Sequence, residues 1–170
     1  MNEELRLYSF TNFYLSSIQQ GIQPAHAQNE LMMAASLGEQ PNSDLLYEWA
    51  SDWKTMICLN GGDFAGVNEW CGFLSHSANP YPFAPFFEEV GAIGPIEIMT
   101  SVAVVLPAKI FETAGLLRRR VLPEGVSYVH DKLLGEHRFT YNEDNVVRDV
   151  TFSQWEYELM QRLNECGLAK

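Results

Sequence analysis

An aromatic strand-like run that passes through a polar crossing into a helix most constrains the fold of this chain. A strand is expected at about residues 5–15, and residues 28–37 have the apolar spacing of a helix. The crossing at 15–27 leaves backbone N–H groups unpaired where the helix starts, and such groups can hold an anion or a carbonyl. Because proline is tolerated in a first turn, Pro24 predicts that the helix begins close to Gly21.

The elements that follow alternate between helix and strand. A helix is predicted over 43–53, a strand over 54–59, a helix capped by Asp63, strands over 83–90 and 100–107, and a helix over 108–120. Strands that are separated by helices tend to pair in parallel, whereas the two close strands 83–90 and 100–107 can pair antiparallel. Pro85 indicates an edge strand or a bulge.

The predicted fold class is therefore α/β. Residues 1–107 are expected to form a small mixed four-stranded sheet with helices on both faces. Residues 108–170 are expected to form an α+β extension packed on that core. Within the extension we predict a helix near 125–134, a strand near 137–141 and a final helix over 153–166.

Charge disfavours one class of function, tight nucleic-acid binding, for the larger part of the chain. The net charge is −11, and residues 1–108 contain twelve acidic residues and only two basic ones. Because nucleic-acid binding needs a cationic face, this region is not expected to bind nucleic acid tightly, and tRNA is disfavoured as a partner. The three cysteines form no pair or metal motif, and no apolar run reaches the ~20 residues of a membrane span, so a cytoplasmic protein without membrane contact is expected.

The crossing contains the candidate site. Gln19, Gln23 and His26 lie close together in the sequence, with Ser17 and Gly21 between or beside them. They can form a ligand-binding corner at a helix N-terminus. Alternatively, they cap the turn and the first helical N–H groups, with Ser16 and Ser17 assisting. No metal site and no cofactor is implied, because the four histidines show no metal-ligand spacing.

The residues Gln23-Pro24-Ala25-His26-Ala27 resemble the end of the first motif of the archaeal and eukaryotic type of peptidyl-tRNA hydrolase, G-K-x-A-A-Q-x-x-H-A. That alignment places the family glutamine at Gln23 and the family lysine at Gln19. A second family motif, D-A-G-x-T, lies eighteen residues before a proline that ends a strand. Here Pro107 ends such a strand, which places the aspartate at Glu89 and the glycine at Gly91. The resemblance covers roughly residues 8–107 and implies a four-stranded mixed sheet.

This resemblance implies a site but also weakens its catalytic interpretation. It implies catalytic roles for Gln23, Glu89 and Gln19, and ligand contacts from Ser17, Gly21, His26 and Gly91. Hydrolysis of the ester needs positive charge where the oxyanion develops, and Gln19 carries none. We therefore predict an acidic binding or regulatory protein with weak or no catalysis, which engages a protein or a nucleotide-like small molecule. The alternative is a peptidyl-tRNA or aminoacyl-tRNA ester hydrolase.

The one basic cluster lies outside the predicted core. Arg118, Arg119 and Arg120 stand at the expected end of a helix, where cations interact favourably with the macrodipole. Alternatively, they bind a partner, either a phosphate or an acidic surface, including that of a second copy in a homo-oligomer.

Overall fold

The computed structural model of the chain describes residues 3–90, 96–119, 121–143 and 146–167. The chain divides into two compact units, Met1–Ala108 with Cys166–Lys170, and Lys109–Glu165. The division falls close to the predicted boundary after residue 107. The end of the chain returns to the first unit, where the Asn60 N–H donates to the Gly167 carbonyl over 2.8 Å.

The first unit is an α/β structure around a mixed four-stranded sheet. Its elements are β1 (Leu5–Thr11), α1 (Ser17–Ser36), α2 (Ser43–Glu48), a π-helical turn (Trp49–Trp53), β2 (Met56–Asn60), α3 (Phe64–Leu74), β3 (Phe83–Val90) and β4 (Ile96–Pro107). The strand order is β2-β1-β4-β3. β1 and β2 run parallel, and β4 is antiparallel to both β1 and β3. The mixed sheet was predicted and is confirmed, and of the two alternatives predicted from Pro85, an edge strand or a bulge, β3 is the edge strand.

Helices cover both faces of this sheet, as the sequence predicted. Leu5 and Leu7 of β1 point to one face and form a buried cluster with Ala27 and Leu31 of α1. Phe10 points to the other face and stacks on Trp70 of α3, with ring centroids 3.7 Å apart. The alternation of side chains along β1 thus assigns α1 and α3 to opposite faces.

The predicted start of α1 was wrong. The helix begins at Ser17, so Pro24 lies in its interior rather than in its first turn. Proline removes one helical hydrogen bond, the one to the Gln20 carbonyl, and normally disrupts a helix. Burial of Ala27, Leu31 and Ala35 against the sheet stabilises α1 in spite of that loss. β1 correspondingly ends earlier than expected, at Thr11.

A bulge in β4 shapes the sheet below the N-terminal half of α1. Phe86 pairs with Ser101, but the next residue, Phe87, pairs with Met99. Thr100 is therefore an extra residue in β4, and a β-bulge of this kind redirects a side chain. The Thr100 hydroxyl reaches Gln23 of α1.

The second unit contains most of α4 (Ala108–Leu117), three strands and α5 (Gln154–Glu165). The strands β5 (Val126–Asp131), β6 (Glu136–Glu143) and β7 (Val146–Ser153) form an antiparallel sheet in that order. The helix predicted near 125–134 was wrong, and β7 was not predicted. Pairing with β6, Tyr128 opposite Phe139 for example, gives residues 126–131 their strand structure. No helix in the described ranges is long and apolar enough to cross a membrane.

Candidate functional site

Gln23 lies between α1 and the sheet and is 3 % exposed. Its Nε2 donates to Glu88 Oε2 of β3 over 2.9 Å. Its Oε1 accepts a hydrogen bond from Thr100 Oγ1 of β4, also over 2.9 Å. Because both ends of the amide have partners, Gln23 connects the helix to two strands.

The carboxylate next to Gln23 is that of Glu88 and not that of Glu89. Glu88 is half-buried on the side of α1, whereas Glu89 is exposed and faces the other side of the sheet. Glu89 pairs directly with Glu97 of β4. The resemblance implied a catalytic role for Glu89, which stays a prediction, whereas the contact with Gln23 is made by Glu88. Gly91, the last residue expected in this part of the site, lies outside the described residues.

Gln19 belongs to the cap of α1. Its backbone N–H donates to Ser16 Oγ over 3.3 Å, and its Oε1 accepts from the Ser16 backbone N–H over 3.2 Å. These reciprocal bonds form a capping box, which satisfies two N–H groups at the start of a helix. The capping alternative is therefore confirmed for Gln19. Ser17 is the first helical residue and is exposed.

Gly21 and His26 both lie within α1. A Cβ built on Gly21 would meet no heavy atom within 4 Å, so no close approach requires glycine there. His26 is exposed and its ring stacks on Phe86 of β3, with centroids 4.6 Å apart. The structure thus brings Gln23 and His26 together above β3, and it separates both from Glu89.

A buried cluster of hydroxyl groups on the same face was missed by the sequence interpretation. Ser101 Oγ lies 2.7 Å from Ser9 Oγ and 3.2 Å from Thr11 Oγ1. All three residues are buried, so their hydroxyls satisfy one another and do not face solvent. Ser9 and Thr11 occupy alternate positions of β1, and this alternation was the signal that could have revealed the cluster.

Exposed apolar side chains surround the start of α1. We call Phe13, Tyr14, Ile18 and Ile22 the α1 patch. Tyr14 is 78 % and Ile18 75 % exposed, and the rings of Phe13 and Tyr14 meet edge to face at 5.4 Å. Ile18 and Ile22 are one helical turn apart, so they share a face of the helix. Over its whole length α1 contains a single charged residue, Glu30. The helix therefore presents apolar side chains on its outer side as well as its inner side.

The thiols of Cys58 and Cys71 in the first unit do not resemble an activated nucleophile. Burial raises the pKa of the thiols of Cys58 and Cys71, so both stay protonated at neutral pH. Of the two basic residues in the range 1–108, Arg6 donates to Glu4 over 2.8 Å. Residues 1–108 carry a strongly negative net charge, and neither of these two thiols is an activated nucleophile.

The arginine cluster lies at the end of α4. Arg118 donates to the Asn164 carbonyl near the end of α5, and Arg119 is exposed. Both follow the last helical residue, Leu117, where a cation interacts favourably with the helix macrodipole. Arg120 lies outside the described residues. A partner-binding role for the three arginines stays a prediction.

Comparison with known proteins bears on the suggested family. No model of a protein family matches the sequence, and no curated protein matches it. The resemblance to peptidyl-tRNA hydrolase rests on the two short motifs alone, so it stays a prediction.

Proposed function

We propose that this protein is an acidic binding protein whose α1 patch docks a basic amphipathic segment of a protein partner. The observation that carries this proposal is the exposure of Ile18 and Ile22 on one face of a nearly uncharged helix, with Tyr14 exposed just before the helix begins. Soluble proteins rarely expose contiguous apolar surface without a binding role. Apolar residues at a spacing of four on a helix suit an apolar face of the same spacing on a partner.

The negative charge of residues 1–108 favours a basic partner. Residues 1–108 contain twelve acidic and two basic residues, so a second copy of this unit would be repelled. A segment with apolar residues on one face and Lys or Arg on the other would gain from both the patch and the surrounding field. Many such basic segments also bind nucleic acid, and the acidic protein would then compete with the phosphates for them.

The alternative, ester hydrolysis on peptidyl-tRNA or aminoacyl-tRNA, has weaker support. Gln23 is bonded at both ends of its amide, Gln19 belongs to the helix cap, and Glu89 faces away from both. A hydrolase also needs a preorganised donor for the oxyanion, and the Nε2 group of Gln23 donates to Glu88 instead.

The docking proposal is tested with defined peptides and fluorescence anisotropy. The probe is a helical peptide of about 18 residues with leucine on one face and lysine on the other, and its control has glutamate in place of lysine. We expect the lysine peptide alone to bind. The double variant Ile18→Gln/Ile22→Gln should weaken it by about tenfold or more, because partial burial of two isoleucines contributes at least that much.

A matched control variant tests whether exposed apolar side chains elsewhere on the protein also bind the peptide. Leu133 and Leu134 are exposed in the turn between β5 and β6 of the second unit. Leu133→Gln/Leu134→Gln should leave the affinity unchanged. Equal weakening by the two double variants, or equal binding of the glutamate peptide, would show that α1 is not the docking surface.

Hydrolysis is tested separately with N-blocked aminoacyl-tRNA. We expect no turnover above the spontaneous rate. The variants Gln23→Ala and Glu88→Ala are first shown to be folded by circular dichroism. If the wild type hydrolyses the ester and both variants do not, the binding proposal is wrong and the protein is an ester hydrolase.

A further inference from the structure

The second unit contains a cleft between α4 and its sheet, with a volume of about 230 Å³. Lys109, Thr113 and Leu116 line it from α4, and Tyr141, Arg148 and Val150 line it from β6 and β7. Tyr141 and Arg148 are directly paired across the two strands, and Val150 lies two residues further along the same face. These residues are distant in sequence, so the cleft forms only when the unit folds.

Two hydroxyl groups meet in this cleft. Thr113 Oγ1 and Tyr141 OH are 2.9 Å apart, and Thr113 is only 2 % exposed. One hydroxyl hydrogen makes this bond, whichever residue is the donor. When Thr113 is the donor, the hydrogen of the Tyr141 hydroxyl is not used in the pair and can be donated to an oxygen atom of a ligand.

A cation is held beside the hydroxyl pair. The guanidinium carbon of Arg148 lies 5.4 Å from the centroid of the Tyr141 ring. Contact with the aromatic face restricts the long side chain, and the N–H groups at the edge of the guanidinium plane can still bind an oxyanion. Lys109 adds a second positive charge to the lining, and Glu112 is the one acidic residue among the described lining residues. The lining is thus net positive in a protein with a charge of −11.

We propose that this cleft binds a small molecule through an oxyanion, either a phosphate or a carboxylate. Arg148 and Lys109 supply the charge, the Thr113–Tyr141 pair supplies a hydroxyl donor, and Leu116 and Val150 contact a short apolar body. The volume is below the roughly 300–1,000 Å³ of pockets for drug-sized ligands, which limits the ligand to a compact molecule. The Glu112 carboxylate disfavours polyanions and accepts a hydrogen bond from a hydroxyl or amino group of the ligand. This site is independent of the docking proposed for α1.

The test uses the full chain and two probes, inorganic phosphate and acetate, at constant ionic strength. Binding is followed by amide NMR shifts of β7 and α4, and each titration gives a dissociation constant. We expect at least one probe to saturate with shifts centred on residues 148–150 and 109–116. The probe that binds more tightly identifies the oxyanion as phosphate or carboxylate.

Variants on the two faces of one sheet provide the control. Arg148→Gln should weaken binding about tenfold, because a charge-assisted bond is lost, and Tyr141→Phe should weaken it by a smaller factor. Arg138 lies on the opposite face of the same sheet and is exposed, so Arg138→Gln should have no effect. The proposal fails if neither probe saturates below about 50 mM, which corresponds to negligible affinity. It also fails if Arg138→Gln weakens binding as much as Arg148→Gln, since that result would indicate a nonspecific effect of net charge.

Discussion

Gln23 connects three elements of the first unit through one side chain. Its amide bonds to Glu88 of β3 and to Thr100 of β4, while its backbone lies in α1. A buried amide with both ends bonded is typical of a structural position, because an unpaired end would incur a desolvation cost. A glutamine at this position therefore suits a structural role, in which it connects α1 to the sheet, as well as a catalytic one.

Removing the two hydrogen bonds of the Gln23 side chain should destabilise the protein. Gln23→Ala leaves the half-buried Glu88 carboxylate and the buried Thr100 hydroxyl without their partner, so we expect the free energy of unfolding to fall by about 2 kcal/mol or more. Urea titration measures the loss. Gln28→Ala, in the same helix, is the control and should cost less than about 0.5 kcal/mol. Similar losses in the two variants would contradict the role assigned to Gln23.

Tyr128 of β5 should ionise at unusually high pH. Burial, and secondly a hydrogen bond with Tyr157, raises the pKa of Tyr128 from 10.0 to about 12. The unfolded chain ionises first as the pH rises, so the stability contributed by the protonated phenol is complete below pH 10 and is lost as the pH rises through about 12.

Ultraviolet titration of the wild type minus that of Tyr128→Phe isolates this ionisation. In Tyr157→Phe, we expect the pKa of Tyr128 to fall but to remain above 10.0, because burial is the larger cause. A difference curve with its midpoint near 10 would show that Tyr128 is solvated.

At the scale of elements, packing overrides local preference in α1. The helix contains both Gly21 and Pro24, which are the two poorest helix formers. It nevertheless extends over twenty residues, because its inner face is buried on the sheet and its start is capped by Ser16 and Gln19. The preference of Pro24 for the first turn of a helix is a local property, and the tertiary contacts of α1 outweighed it.

Two glycines of the first unit should respond oppositely to alanine. Gly21 is exposed within α1 with open space around it, so Gly21→Ala should raise the free energy of unfolding by about 0.5–1 kcal/mol. A Cβ on Gly61 would lie 2.9 Å from the Phe10 carbonyl carbon, so Gly61→Ala should destabilise. Thermal unfolding of both variants measures whether each substitution raises or lowers the stability. Destabilisation by Gly21→Ala would indicate a close contact at that position.

At the scale of the whole molecule, charge is distributed unevenly along the chain. Residues 1–108 contain most of the negative charge, and Glu89 and Glu97 stand directly opposite each other on β3 and β4. Repulsion of this kind destabilises a compact state and is screened by salt. The same field attracts a basic partner, so the charge that lowers stability also supports the proposed binding.

Salt should therefore stabilise the protein. We expect Tm to rise by roughly 2–5 °C between about 0.01 M and about 0.3 M NaCl. Glu97→Lys should add about 0.5 kcal/mol of stability at low salt, since it replaces a like-charged pair with an opposite one. Glu39→Lys changes the net charge equally at an exposed position beyond the end of α1 and should add less. Equal gains from both variants would assign the effect to net charge alone.

The sequence by itself determined the α/β class and the strand and helix order of the first unit, and it narrowed the strand with Pro85 to an edge strand or a bulge. These follow from hydrophobic period, caps and proline, which are local properties. Only the tertiary structure decided which residues meet. The bulge at Thr100 turns a hydroxyl toward Gln23, and the register of β3 brings Glu88 rather than Glu89 to it. Strand pairing likewise made a strand of residues 126–131. Register and long-range pairing depend on contacts between residues far apart in the chain, and local sequence patterns do not specify them.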